Sequence, residues 1–369
     1  MATYTYKCPN CTGPLLYRPD LEKLKCDYCG SSFTTEEIDA YIKNNPDKEM
    51  LIEDEGSEKK PSVVLKTQEG LERDQRNQEY EIKGYNCSNC GAEVVTSATS
   101  LTTFCYYCHS PVVLTDRTQG AFRPDKLIPF AIDKKKVEES LLAWIKRKKY
   151  VKRDFYSQSQ LEKITGMYLP FWSMNSNYEI RLKGKGKRLS TSRSGNTEYI
   201  ETSFFDIDRA FNYQVDNLSK LAYTKVDGDF INSISPFNFK DKKDFKIFYL
   251  NGFFSETYDL TFDDLKQDLV QRTQEYVKNR VKSELYDYDS YELSEESYDR
   301  LAYEKEYVLL PVWMLTYDYK GKKYIYTMNG QTGKAFGDLP IDQGLIFRDS
   351  LIIAIIVFIL AILGGRFIW

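Results

Sequence analysis

Eight cysteines, in one spacing used twice, carry the chemistry this chain can do. Cys8-x2-Cys11 is followed after fourteen residues by Cys26-x2-Cys29, and Cys87-x2-Cys90 after fourteen by Cys105-x2-Cys108. Two thiolates separated by two residues can both face one ion from a tight turn. Two such knuckles at the ends of a hairpin complete the tetrahedron that Zn²⁺ prefers. Four thiolates fill the coordination sphere and leave no position for water or substrate. The expectation is therefore two structural zinc ions, one on Cys8, Cys11, Cys26 and Cys29, the other on Cys87, Cys90, Cys105 and Cys108. Rubredoxin-like iron takes the same ligands, but zinc suits a chain with no evident redox partner. A disulfide framework needs an oxidising compartment, and Met1 to Lys7 has no apolar stretch that would read as an export signal. A thioredoxin-like reading needs a surrounding βαβ unit and only one Cys pair.

Other chemistry is scarce. His109 is the single histidine; it follows Cys108 directly and reads as a turn residue. Without it no Ser-His-Asp triad can be built, and a zinc hydrolase site with several His ligands is excluded. The segment Gly330 to Lys334 has the wrong glycine spacing for a phosphate-binding loop and reads as a hairpin turn. Gly184-Lys185-Gly186-Lys187 reads as a basic loop that ends a strand. Asp263-Asp264 and Glu295-Glu296 read as solvated helix starts without a context that would raise one pKa. No enzyme activity is expected.

The elements that must position the cysteines follow from pattern. At 369 residues the chain exceeds a single core. The first ribbon takes 1–36. Thr34 with Glu37 marks a helix start by a capping box, and that helix leads into a charged linker within 37–83. The second ribbon takes 84–118. An α+β domain follows over 124–340, with a helix at 134–149 whose apolar face is Val137, Leu141, Trp144 and Ile145. A second helix is read at 262–285. Leu169-Pro170-Phe171-Trp172 and Leu310-Pro311-Val312-Trp313 each follow such a helix and precede a hairpin. This suggests an internal duplication, with copies at about 124–240 and 245–340. A loop is read at 191–196, and Asn329-Gly330 with Thr332-Gly333 marks a tight hairpin. The fold class is α+β: two zinc ribbons, a mixed region and a C-terminal transmembrane helix.

That last helix is read at 350–369. Leu351 to Leu363 contains no polar residue, and the run extends through Arg366 to Trp369, near the ~20 residues needed to cross a bilayer. The competing reading is a buried core helix. The net charge of −3 implies no wholesale attraction to nucleic acid. Two basic stretches, Lys134–Lys136 with Lys146–Lys149 and Lys183–Arg188, with Phe104, Tyr106 and Tyr107, could meet nucleic acid. The basic stretches could equally meet anionic lipids, and the plainer reading is solvated surface.

The chain resembles the TFIIB-type zinc-ribbon-containing membrane proteins of Gram-positive bacteria, the YdjG-like group. The resemblance is carried by Tyr6-Lys7-Cys8-Pro9-Asn10-Cys11, the second ribbon followed by Leu127-Ile128-Pro129-Phe130, and Lys163 to Trp172. It continues in Leu309-Leu310-Pro311-Val312-Trp313 and Met328 to Lys334. It runs over nearly the whole chain. It implies a cytoplasmic zinc-ribbon protein held at the cell membrane, where it would organise envelope-stress proteins of the phage-shock type and a flotillin-like (SPFH) partner. The expected function is thus a membrane-anchored, non-enzymatic scaffold or adaptor, with the bilayer and membrane-associated proteins as partners. The alternative is a membrane-tethered nucleic-acid-binding protein.

Overall fold

The computed structural model describes residues 3–4, 6–45, 83–87, 93–96, 99–105, 110–114, 122–152 and 163–368. Most of the expected linker lies outside the described residues, as do Cys90, Cys108, His109, Tyr106, Tyr107 and Trp369. In chain order the first strands are β1 (Thr3–Tyr4), β2 (Leu15–Arg18), β3 (Lys23–Cys26) and β4 (Ser32–Phe33), then helix α1 (Thr35–Asn44). Next come β5 (Lys83–Asn86), β6 (Glu93–Thr96), β7 (Ser100–Phe104), β8 (Pro111–Leu114) and β9 (Lys126–Leu127), then α2 (Lys134–Arg147). The long strands β10 (Thr165–Ser194) and β11 (Thr197–Leu221) follow, then α3 (Gly228–Ser233), β12 (Lys243–Asp244) and β13 (Phe254–Glu256). The chain closes with α4 (Phe262–Glu284), β14 (Ser290–Tyr319), β15 (Lys322–Asn329), β16 (Ala335–Gly337) and α5 (Gln343–Ile368).

Three of the helices begin where side-chain caps dictate. Thr34 and Glu37 form the expected capping box, and Thr261 with Asp264 forms a second. At α2, Asp133 accepts from the Lys136 N–H. Each cap pairs orphan donors of the first turn.

Among the described residues eleven strands join one sheet, ordered β1-β8-β7-β13-β10-β14-β15-β16, with β11 also on β10 and β9 on both β14 and β12. The fold is mixed α+β and mostly sheet. At its centre β10 and β14 are buried over Tyr168–Met174 and Tyr307–Trp313, near-continuous apolar runs, as expected where both faces are covered. Tyr168, Trp172, Tyr307, Leu309 and Trp313 face the cluster that takes in α2, α4 and the first cysteine segment. Leu169, Phe171, Val308, Leu310 and Val312 face the cluster around Ile231 of α3 and Phe237.

The two Leu-Pro-x-Trp stretches are antiparallel neighbours, with Leu169 opposite Leu310. A proline in a central strand removes a ladder donor, and here both are placed where none is needed. Beside Pro170 the outer neighbour of β10 changes from β13 to β11; beside Pro311 that of β14 changes from β9 to β15. Both proline carbonyls point outward, to the N–H of Ala222 and of Gly330. Each tryptophan then donates its indole N–H to the carbonyl just before a helix cap, Trp172 to Leu260 and Trp313 to Ile132, both at 3.0 Å.

Beyond this body, β10, β11 and β14 run on together as an arm. At about 3.3 Å per residue, a 30-residue strand is on the order of 100 Å long. Helix α4 supports the near part, where Val277, Val281 and Leu285 pack on Tyr178, Ile180, Leu182 and Ile207. From Lys187 to Ile200 every residue is exposed. This corrects the loop expected at 184–187 and shortens that expected at 191–196: β10 continues to Ser194, and the turn is at Gly195-Asn196. Gly184 and Gly186 mark close approach rather than a strand end. A Cβ on Gly184 would meet the Glu292 carbonyl oxygen at 2.2 Å, and one on Gly186 the Tyr288 ring at 2.4 Å. Glu295-Glu296 is likewise strand, not a helix start. Glu295 lies directly opposite Lys183 and pairs with it at 2.8 Å.

Helix α5 begins seven residues before the expected span. Its 26 residues extend about 39 Å at 1.5 Å per residue, more than the ~30 Å hydrocarbon core. Its stretch Gln343–Ile362 is strongly apolar and almost wholly uncovered. A core helix would be covered; this one, long and apolar enough to cross a membrane, is not.

Candidate metal centre

The first cysteine cluster is built by two knuckles of the same backbone design. In each, the cysteine N–H donates to the carbonyl five residues on: Cys8 to Gly13 at 2.7 Å and Cys26 to Ser31 at 2.9 Å. The N–H four residues on returns to the cysteine carbonyl, Thr12 to Cys8 and Gly30 to Cys26, both at 2.9 Å. Those closing residues have positive φ, 63° at Thr12 and 76° at Gly30. Glycine adopts that conformation freely. Threonine does not, at a cost of about 1–2 kcal/mol. Thr12→Gly is therefore expected to stabilise the first ribbon by about 1 kcal/mol, read as a higher melting temperature of the zinc-loaded protein.

The four sulfurs lie within 4.8 Å of one another. Cys8 Sγ is 3.6 Å from Cys29 Sγ, and Cys11 Sγ is 3.4 Å from Cys26 Sγ. A tetrahedron with Zn–S bonds of about 2.3 Å has edges of roughly 3.8 Å, so the cage fits one zinc ion with small adjustment. Cys8 and Cys26 are its buried half and Cys11 and Cys29 its exposed half.

The electrostatics point the same way. The Ser31 hydroxyl and backbone N–H beside Cys29 hold its thiol down to about 6. At Cys11 the Gly13 backbone pulls downward, but the sulfurs of Cys29 and Cys26 outweigh it and push the thiol up to about 12. Burial raises Cys8. Four adjacent sulfurs resist sharing negative charge, and a divalent cation removes the conflict by drawing off the protons.

This ribbon is seated on the body. The Tyr17 N–H donates to Asn251 O at 2.9 Å, the Tyr17 and Tyr249 rings meet edge-on at 5.3 Å, and Lys246 pairs with Asp39 at 2.8 Å. No local pattern signals Asn251 or Tyr249, since both lie more than 200 residues beyond Cys8, Cys11, Cys26 and Cys29. Between the β2–β3 hairpin, the start of α2 and the start of β10 lies a cleft of about 720 Å³, lined in part by Arg18, Lys134, Glu138, Phe253 and Trp313.

Of the second set, Cys87 and Cys105 are both buried in one cluster with Tyr85, Val94, Val112 and Leu114. The Cys105 N–H donates to Ser110 O at 2.9 Å, five residues on, as in both knuckles of the first cage. Strand β7 pairs with β13 and β8 with β1, so this segment also joins the main sheet.

No family model and no solved structure matches the chain. It is similar to the uncharacterized protein YdjG of Bacillus subtilis (strain 168), at 32% identity over 232 residues, 63% of this chain and 68% of YdjG. At this identity and coverage the chain belongs to the YdjG family.

Proposed function

We propose that the protein is a membrane-anchored, non-enzymatic scaffold that holds two zinc ions and binds protein partners at the cytoplasmic membrane face. Helix α5 is the anchor and the remainder of the chain is cytoplasmic. The cysteine spacing supports the second zinc, on Cys87, Cys90, Cys105 and Cys108. The partners are membrane-associated stress proteins of the phage-shock and SPFH types. The observation that carries the scaffold reading is the arm. Its far end exposes Tyr199, Ile200 and Phe204 at 57%, 66% and 70%, far more apolar surface than a short solvated hairpin needs. The crossed tryptophan bonds to Leu260 and Ile132 support the reading of 124–240 and 245–340 as duplicated copies.

The second reading, a tethered nucleic-acid binder, loses support along Lys183–Arg188. Lys183 is paired with Glu295, Lys187 lies over the Phe204 ring, and Arg188 lies over Phe205 while bonding Asp287 O. The test is a pull-down of the full chain from detergent-solubilised membranes, with and without nuclease, and metal analysis of the eluate. Membrane proteins that survive nuclease, with about two zinc per chain, are expected. Nucleic acid as the main companion, with partners lost on digestion, would favour the second reading.

A further inference from the structure

The end of the body from which α5 leaves is built as a cationic and aromatic collar. The α2 C-terminus carries Lys146, Arg147, Lys148 and Lys149, all exposed. The chain returns to this point just before α5: Val151 bridges Ile341, Asp342 donates its N–H to Tyr150 O at 2.8 Å, and Lys149 pairs with Asp349 at 2.7 Å. The β14–β15 turn, with exposed Lys320 and Lys322, lies at the same end. The Tyr317 hydroxyl donates to Asp338 O at 3.0 Å, four residues before Asp342.

Four of these lysines lie over aromatic rings: Lys148 over Trp144 at 6.0 Å, Lys149 over Tyr150 at 5.3 Å, Lys320 over Tyr319 at 5.2 Å and Lys322 over Tyr324 at 5.5 Å. Among these six cations, Lys149 alone forms an ion pair with a described carboxylate. The nearby Asp342 carboxylate is engaged with the N–H groups of Gly344 and Leu345. Aromatic rings sit at the head-group level of a bilayer, and juxtamembrane cations are drawn to anionic lipid.

We propose that this collar binds the phosphate-bearing head groups of anionic phospholipids and seats the body on the membrane surface. The proposal rests on reading α5 as the anchor, and the test separates the two. The full chain is reconstituted in phosphatidylcholine bilayers with trace spin-labelled phosphatidylglycerol or spin-labelled phosphatidylcholine, and the motionally restricted lipid fraction is measured. Restriction of both labels reports α5 in the bilayer. A preference for the glycerol lipid of roughly fivefold or more at low salt reports the collar. It should fall toward parity in 0.5 M NaCl, and in the variant Lys146→Gln, Arg147→Gln, Lys320→Gln, Lys322→Gln. That variant should keep its zinc and its restricted phosphatidylcholine.

Equal restriction of both lipids would overturn the collar and leave the anchor standing. No restriction of either would overturn the anchor, and the collar with it. Loss of the preference in sodium phosphate but not in sodium chloride of equal ionic strength would reassign the collar to free phosphate and overturn the lipid assignment.

Discussion

Replacing Cys8 and Cys26 with serine is expected to lower the metal content by one zinc per chain and to expose residues 6–33 to amide exchange. These two form the buried half of the cage, so serine there removes the ligands that tie the metal to the hairpin interior. Zinc contributes on the order of 10–16 kcal/mol to the folding of small four-ligand modules at neutral pH. Some thirty residues have too little apolar surface to replace it. The effect should spread. Tyr17 packs on Tyr249 and bonds Asn251, so loss of the ribbon uncovers that part of the body and lowers its melting temperature. Acid should mimic the variant: the sulfurs bind metal only after losing protons, so occupancy falls as pH falls. Unchanged zinc content in the double variant would refute the assignment of the cage.

Trp313→Ala should cost about 3–5 kcal/mol, measured by denaturant unfolding of the zinc-loaded protein. The side chain is 5% exposed and touches the Phe130 and Phe253 rings at centroid distances of 5.2 and 5.9 Å. Its indole N–H also satisfies Ile132 O ahead of the α2 cap. Trp313→Phe keeps much of the packing and drops that bond, so its cost should be nearer 1–2 kcal/mol. A cost below about 1 kcal/mol for Trp313→Ala would mean the site collapses freely and that the two halves are not joined there.

What could be read from sequence was what is decided locally. Cys-x2-Cys sets a knuckle within six residues, and the Thr34–Glu37 box sets a helix start within four. The face of Val137, Leu141 and Ile145 is a repeat that the helix itself imposes, and all three are buried. The arm was not legible because its far half is exposed on both faces. From Lys187 outward no residue has a core to face, so the apolar alternation that announces a strand is absent, and glycines imitate a turn. Register in the nearer half is set by partners about 100 residues away, such as Glu295 opposite Lys183. The seating of the first ribbon was hidden for the same reason: Tyr17 and Asn251 find each other only after folding. The length of α5 was underestimated because Arg348 and Asp349 interrupt the apolar run; pairing Asp349 with Lys149 and Arg348 lets the helix pass through them.

Strand β14 runs from Tyr319 to Ser290 on the arm, with bulges at Leu301 and Ser294 where its register on β10 shifts. Its contour is at most about 95 Å, so a tilt of roughly 10° at the α5 end displaces the far end by up to about 16 Å. A small rotation where α5 leaves the body is carried along this strand to the arm, as a lever carries it.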